Sequence, residues 1–379
     1  MKEQRIKIFL IMLLVIVSIT AYVLVIRPKG FGFVSGKVKL EVLNNLEYNP
    51  TDKVHISKLG KNIVRSSKDG VTMMDTNGTT IWDKTFNMMN PKVIKENNYL
   101  AVADISARDL YLFDENGFVR DYNVGSPILM FDINENGIVA IIGQKNKGHV
   151  IELFDADGTK LIHRETFTEN DGYPLAFDIS EDGSKMVTSY LYVKGNSLVS
   201  NLTFFNFSDN GSDYAERVTG GFSIDETVVP EIRFLDNEHV AAVGDNGILF
   251  YKVNVIPEEI QKLEVPNEIN KVNYTEDKLL VLYGRPIKNE DNYKDNSLVT
   301  YNKEGKSLSV TEFDNEITRL IGNENKYYVE SELFIREYYN GKINWESTVK
   351  GDVKDIMHLG NNTFLIVLQN EYEVVKLTK

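Results

Sequence analysis

Cysteine is absent from all 379 residues, tryptophan occurs twice, histidine five times and proline nine times. Without cysteine there is no disulfide framework, no thiolate-held metal and no lipoprotein anchor. The histidines (His55, His149, His163, His239 and His358) are scattered over different segments without metal-ligand spacing. A G-x-S-x-G nucleophile elbow is missing, and so is the helix that would follow it. Beyond residue 29 no segment sustains the apolar stripe of an amphipathic helix. These absences leave little room for hydrolase or metal chemistry, and no enzymatic activity is expected.

Basic residues are also in deficit. With the five basic residues and one acidic residue before Gly30 set aside, 37 Lys+Arg face 54 Asp+Glu, a balance of −17. Such a body repels nucleic acid and anionic head groups, whose recognition rests on basic patches and counterion release.

One long apolar run is present. Ile8–Ile26 carries no charge and is bounded by Lys7 and by Arg27-Pro28-Lys29. As a helix it spans about 28 Å, close to a hydrocarbon core of about 30 Å. It exceeds a signal-peptide core, and its end, TAYVLVIRP, offers no small-x-small cleavage site. The reading is a retained single-pass helix. Lys2, Arg5 and Lys7 favour a cytoplasmic N-terminus, which places the rest of the chain outside the cytoplasm. The chain divides into a tail and transmembrane helix (1–29), a tether (30–53) and a folded body (54–379).

The body repeats. Asp75–Phe86, DTNGTTIWDKTF, reads as a strand ending in a D-x-x-G turn with a new strand beyond it. Variants return at Asp114–Val124, Asp155–Phe167, Asn302–Phe313 and Tyr339–Val349, with turn glycines Gly78, Gly117, Gly158, Gly305 and Gly341. A preceding hairpin starts near residues 54, 92, 128, 175, 231, 271, 318 and 353. Four short strands every ~40–45 residues is the pattern of a propeller blade. The expected fold is all-β, an eight-bladed β-propeller, with seven blades as the alternative. The eighth unit ends one strand short, and the alternating stretch Lys37–Leu43 is available to complete it.

Two units place a tryptophan four residues after the turn glycine, Gly78-Thr-Thr-Ile-Trp82 and Gly341-Lys-Ile-Asn-Trp345. This element resembles the repeat of quinoprotein-like (PQQ-type, BamB-like) eight-bladed propellers. The resemblance implies that Trp82 and Trp345 pack between neighbouring blades. The layout is also similar to single-pass propeller proteins of low-GC Gram-positive bacteria. A quinone site would imply a cofactor stacked on tryptophan and often a vicinal disulfide. With no cysteine and both tryptophans in packing slots, no cofactor is expected.

The carboxylates of Asp75-Thr-Asn-Gly, Asp114-Glu-Asn-Gly and Asp155-Ala-Asp-Gly begin like calcium loops, but no acidic residue closes the series. Asp, Asn and Gly in that order are what a tight turn requires.

Two connections between second and third strands read as long: Leu191–Ser200 in unit four and Gly284–Asn296 in unit six. They occupy the same slot and so project from one face. Tyr192, Lys194, Arg285, Lys288, Tyr293 and Lys294 would form a partner-binding rim there. The leading reading is a membrane-tethered, non-catalytic scaffold for envelope proteins. The alternative is a sensor binding a small ligand or wall glycan in the central channel, near Asp132, Asp178 and Arg233.

Overall fold

The computed structural model describes residues 36–287, 293–348 and 351–379. Ile8–Ile26 lies outside the described residues, among which no helix is long and apolar enough to cross a membrane. The described residues form eight antiparallel sheets in chain order, spanning 55–85, 91–123, 128–167, 173–225, 231–264, 267–312, 319–347 and 355–378. They are blades 1 to 8 of a propeller.

In blade 1, His55–Leu59, Asn62–Ser67, Gly70–Met74 and Thr80–Thr85 pair in sequence order. First strands of neighbouring blades approach one another, as Tyr173–Ile179 does Glu231–Phe234, so they form the inner wall of the ring. The second-to-third-strand connections define an upper face. The D-x-x-G turns and the first-to-second-strand turns lie on the lower one.

Strand periodicity explains why the blades must stack. Successive side chains point to opposite faces of a sheet. In the second strand of blade 2, Leu100 and Val102 pack towards blade 1, while Ala101 and Ala103 pack towards blade 3. The buried residues fall into eight apolar clusters, one at each junction from blades 1/2 round to 8/1. An isolated blade would expose both faces, so the modules are stable only together.

The D-x-x-G turns are built by their own side chains. Asp75 Oδ1 accepts hydrogen bonds from the Asn77 and Thr79 amides at 2.9 and 2.8 Å. The turn glycine also has a neighbour across the junction. Gly117, at φ +126°, lies over the Trp82 indole, and Gly341, at φ +71°, lies over Ser309. Every pair of third and fourth strands carries a register shift, which twists the edge of the blade.

Ring closure differs from the expected tether strand in one respect. Lys39–Glu47 pairs antiparallel with Glu371–Thr378 and supplies the fourth strand of blade 8. Gly36–Lys37 instead pairs in parallel with Trp345 and Glu346, the outer strand of blade 7. Between the two pairings Val38 drops into the core of the 7/8 junction, 8% exposed. Its amide donates to Glu346 O at 2.9 Å, and Ser347 Oγ donates to its carbonyl at 2.9 Å. Burying that one side chain moves the chain from one blade to the next, so Lys37 belongs to blade 7.

Candidate functional site

The stretch Leu191–Ser200 is not a long loop. The second and third strands of blade 4, Lys185–Lys194 and Ser197–Asn206, are ten residues each and stay paired up to Lys194↔Ser197. A two-residue turn, Gly195-Asn196, closes the hairpin, with Gly195 at φ +65°. Tyr192 is half-buried on this hairpin, and Lys194 stands at its tip 4.0 Å from Asp225. The polar tip reads as loop in sequence, yet the alternating stems on either side continue the ladder.

In blade 6 the second strand runs to Pro286 and carries the exposed Arg285 near its end. Lys288 lies outside the described residues. Tyr293 is no rim residue. Its ring stacks on Tyr283 with centroids 4.9 Å apart, and its backbone is clamped by the Asn267 side chain at 3.0 and 2.8 Å. Lys294 lies 3.3 Å from Asp314 and 3.6 Å from Glu312, beside its own blade's outer strand. Of the six expected rim residues, the described structure therefore leaves Lys194, Arg285 and Lys294 as exposed charges at the upper face.

The blade 4 hairpin and the described end of the second strand of blade 6, up to Ile287, flank blade 5, whose own connection is tight: the Gly244 amide donates to Gly247 O at 2.8 Å. A cleft results above blade 5. On one wall Val193 and Leu198 sit directly opposite each other, 63% and 45% exposed. They share strand parity with Val187 and Leu202, which pack against blade 5 lower down, so they face the cleft. Across from that wall, Val281 and Tyr283 of blade 6 face blade 5, and a bulge between Tyr283 and Pro286 precedes the exposed Arg285. The floor is acidic and exposed: Glu226 and Asp245. Among the described residues, large exposed apolar side chains near the upper face are Met89, Phe167, Tyr173, Val193, Leu198, Ile287 and Leu333. Near the lower face are Ile256 and Tyr339, with Ile81, Phe118, Leu161, Leu308 and Ile343 one residue beyond its turns on the outer strands.

The central channel holds a second cluster. Arg233 of blade 5 reaches Glu96 of blade 2 at 3.2 Å, linking blades three apart. Burial pushes the Asp132 carboxyl well above the ordinary carboxylate range, and the neighbouring Asp178 adds to the effect. Asp178 is raised by burial too, although Arg233 and the Phe234 amide, 2.6 Å away, pull it back. Asp132, Asp178 and Arg233 are thus brought together, with Glu96 and Tyr274 joining from blades that sequence reasoning did not single out. On the opposite side Lys58 donates to His358 O at 3.0 Å and lies 3.8 Å from Glu324. Burial pushes Asp355 up to about 6 and lowers Lys95, which Lys58 lowers further. The cluster largely neutralises itself.

A cavity of about 200 Å³ on the upper face is lined by Thr318, Glu330, Glu332, Phe334 and Asp352, among others. The Glu330 carboxylate is already bonded to the Val353 amide at 2.9 Å and approached by Thr318 Oγ1 at 3.3 Å. The tryptophans lie at junctions. Trp82 stacks on Phe113 of blade 2 with centroids 5.6 Å apart, and Trp345 meets Phe364 of blade 8 at 5.6 Å.

Solved structures share this architecture. The crystal structure of BamB from Moraxella catarrhalis matches with TM-score 0.50 and 12% identity over 89% of this chain and 100% of that one. Chaetomium thermophilum Sqt1, bound in its crystal to the N-terminus of the ribosomal protein L10, matches with TM-score 0.57 and 9% identity over 90% and 100%. Hydrazine synthase of Kuenenia stuttgartiensis also aligns, with TM-score 0.44 and 12% identity over 86% and 94%. At these identities the likeness is one of fold. No curated protein matches the sequence. The model of a family of unknown function, DUF5711, matches residues 36–377, and the chain belongs to that family.

Proposed function

Starting from that membership, we propose that the chain is a membrane-anchored, extracytoplasmic scaffold that holds envelope proteins on the upper face of its propeller. The observation that carries this reading is the exposed apolar pair Val193 and Leu198, held on a paired hairpin that rises from that face. Strand direction supports it. Gly36–Lys37 runs parallel to the outer strand of blade 7, Lys342–Ser347, which rises from lower to upper face. The chain therefore enters from the lower side. If Ile8–Ile26 spans the membrane, the six residues between Lys29 and Gly36 allow a reach of about 24 Å when extended. Such a leash keeps the lower side near the bilayer and turns the upper face outwards, where a tethered disc meets partners at high effective concentration.

Ligand binding in the channel has weaker support, because Arg233 is already engaged by Glu96 and Asp178. The scaffold reading is tested by crosslinking in intact cells. Alanine at Lys194, Arg285 and Lys294 together is expected to weaken capture of envelope proteins, with the chain remaining in the membrane fraction. Undiminished capture would remove the upper rim from the account.

A further inference from the structure

We propose that the cleft above blade 5 docks an extended segment of a protein partner, one presenting an apolar side chain flanked by lysine or arginine. This rests on the scaffold reading and names the kind of partner that the face fits.

The apolar wall is preorganised. Val193 and Leu198 form a cross-strand pair on a hairpin that stays hydrogen-bonded to its tip, so no loop must be ordered when a partner binds. Both side chains stand in water, although Val199 beside them is buried. The hairpin thus carries its exposed apolar surface on the side that overlooks the cleft.

The floor is fixed in place and negative. Glu226 adopts φ +54°, a left-handed conformation uncommon for glutamate. The Asn246 side chain holds its carbonyl at 2.6 Å, and the neighbouring Asp245 carboxylate accepts from the Val228 amide at 2.9 Å. Backbone held in such a region is often found at binding sites. Among the described residues neither Glu226 nor Asp245 forms an ion pair with a cation. An apolar wall above unneutralised carboxylates suits a hydrophobic anchor with basic neighbours. Anionic lipid is repelled by the same floor.

The test uses the full chain in detergent and dye-labelled synthetic peptides read by fluorescence anisotropy. One peptide has leucine flanked by lysines, a second has glutamates in place of the lysines, and a third has glycine in place of the leucine. The lysine-flanked peptide is expected to bind at least about tenfold more tightly than the other two, and more weakly as salt rises. Leu198→Asp and Glu226→Lys are each expected to cost about tenfold, whereas Ile256→Asp on the lower face changes nothing. Val193→Ser is a milder variant, with its melting temperature checked, should the aspartate unfold the hairpin.

Equal binding of the three peptides, or indifference to the cleft variants, overturns the proposal. A concentration-dependent dimer in sedimentation that Leu198→Asp abolishes would assign the cleft to a second copy. Binding to phosphatidylglycerol vesicles lost in the same variant would assign it to the membrane. Either outcome also overturns the proposal. Should the peptides fail while cellular crosslinking persists, this inference falls and the scaffold reading stands.

Discussion

Replacing Asp355 by asparagine should stabilise the protein at neutral pH and do nothing in acid. Asp355 begins the innermost strand of blade 8 and faces the channel, where burial raises its carboxyl from an ordinary 3.8 to about 6 despite the attraction of Lys95. Its Oδ1 accepts from the Ile356 amide at 2.7 Å, a bond that an asparagine oxygen retains. A raised pKa means that the folded state holds the proton more tightly than the unfolded one. The group's favourable contribution is therefore complete below about pH 4 and is lost as the pH rises through 6. A gap of about two pH units at ~1.4 kcal/mol each makes ionisation cost up to ~3 kcal/mol at neutrality. Urea unfolding at about pH 7.5 and about pH 3 reads this directly: Asp355→Asn is expected to gain ~1–3 kcal/mol at the first and close to nothing at the second. The same gain at both values, or a loss at neutral pH, would refute the claim that the closed ring encloses this carboxyl.

The two tryptophans give a second expectation. Trp345 is 1% exposed with no partner for its indole nitrogen, whereas Trp82 is half-buried and its indole nitrogen donates to Glu115 O at 3.4 Å. Trp345→Ala is expected to cost ~3–5 kcal/mol and Trp82→Ala about half of that, measured by denaturant titration; equal losses would contradict the burial difference. Trp345→Phe should cost less than the loss of ring volume suggests, because it deletes a buried unbonded N–H.

The blade pattern was legible because it is local. Asp, Asn and Gly mark the turns, and alternation marks the strands, so recurrence along the chain predicts eight units and even the donor of the missing strand. What was not legible depends on contacts between distant residues. Nothing in Gly36-Lys37 signals parallel pairing with Trp345 and Glu346; that follows from where Val38 finds a core. Tyr293 reads as an exposed loop residue, and only the placement of Tyr283 and Asn267 beside it shows that it is packed. The tip Lys194-Gly195-Asn196-Ser197 is polar enough to pass for a loop, although pairing runs to its ends. Asp132, Asp178 and Arg233 stand out as charges in otherwise apolar inner strands, but their closeness to Glu96 is a property of the closed ring. The apolar pair Val193 and Leu198 lay within a stretch noted for its tyrosine and lysine, and strand parity was the signal that would have found it.

The most direct test of the account compares the two faces of the disc in living cells. A photoreactive amino acid placed at Leu198 or Ile287 on the upper face, and at Ile256 or Tyr339 on the lower, reports what touches each when light is applied. Discrete protein adducts from the upper positions, with none from the lower ones, are the predicted result. Adducts from the lower face alone, or the same adducts from both, would contradict a scaffold that presents its upper surface outwards.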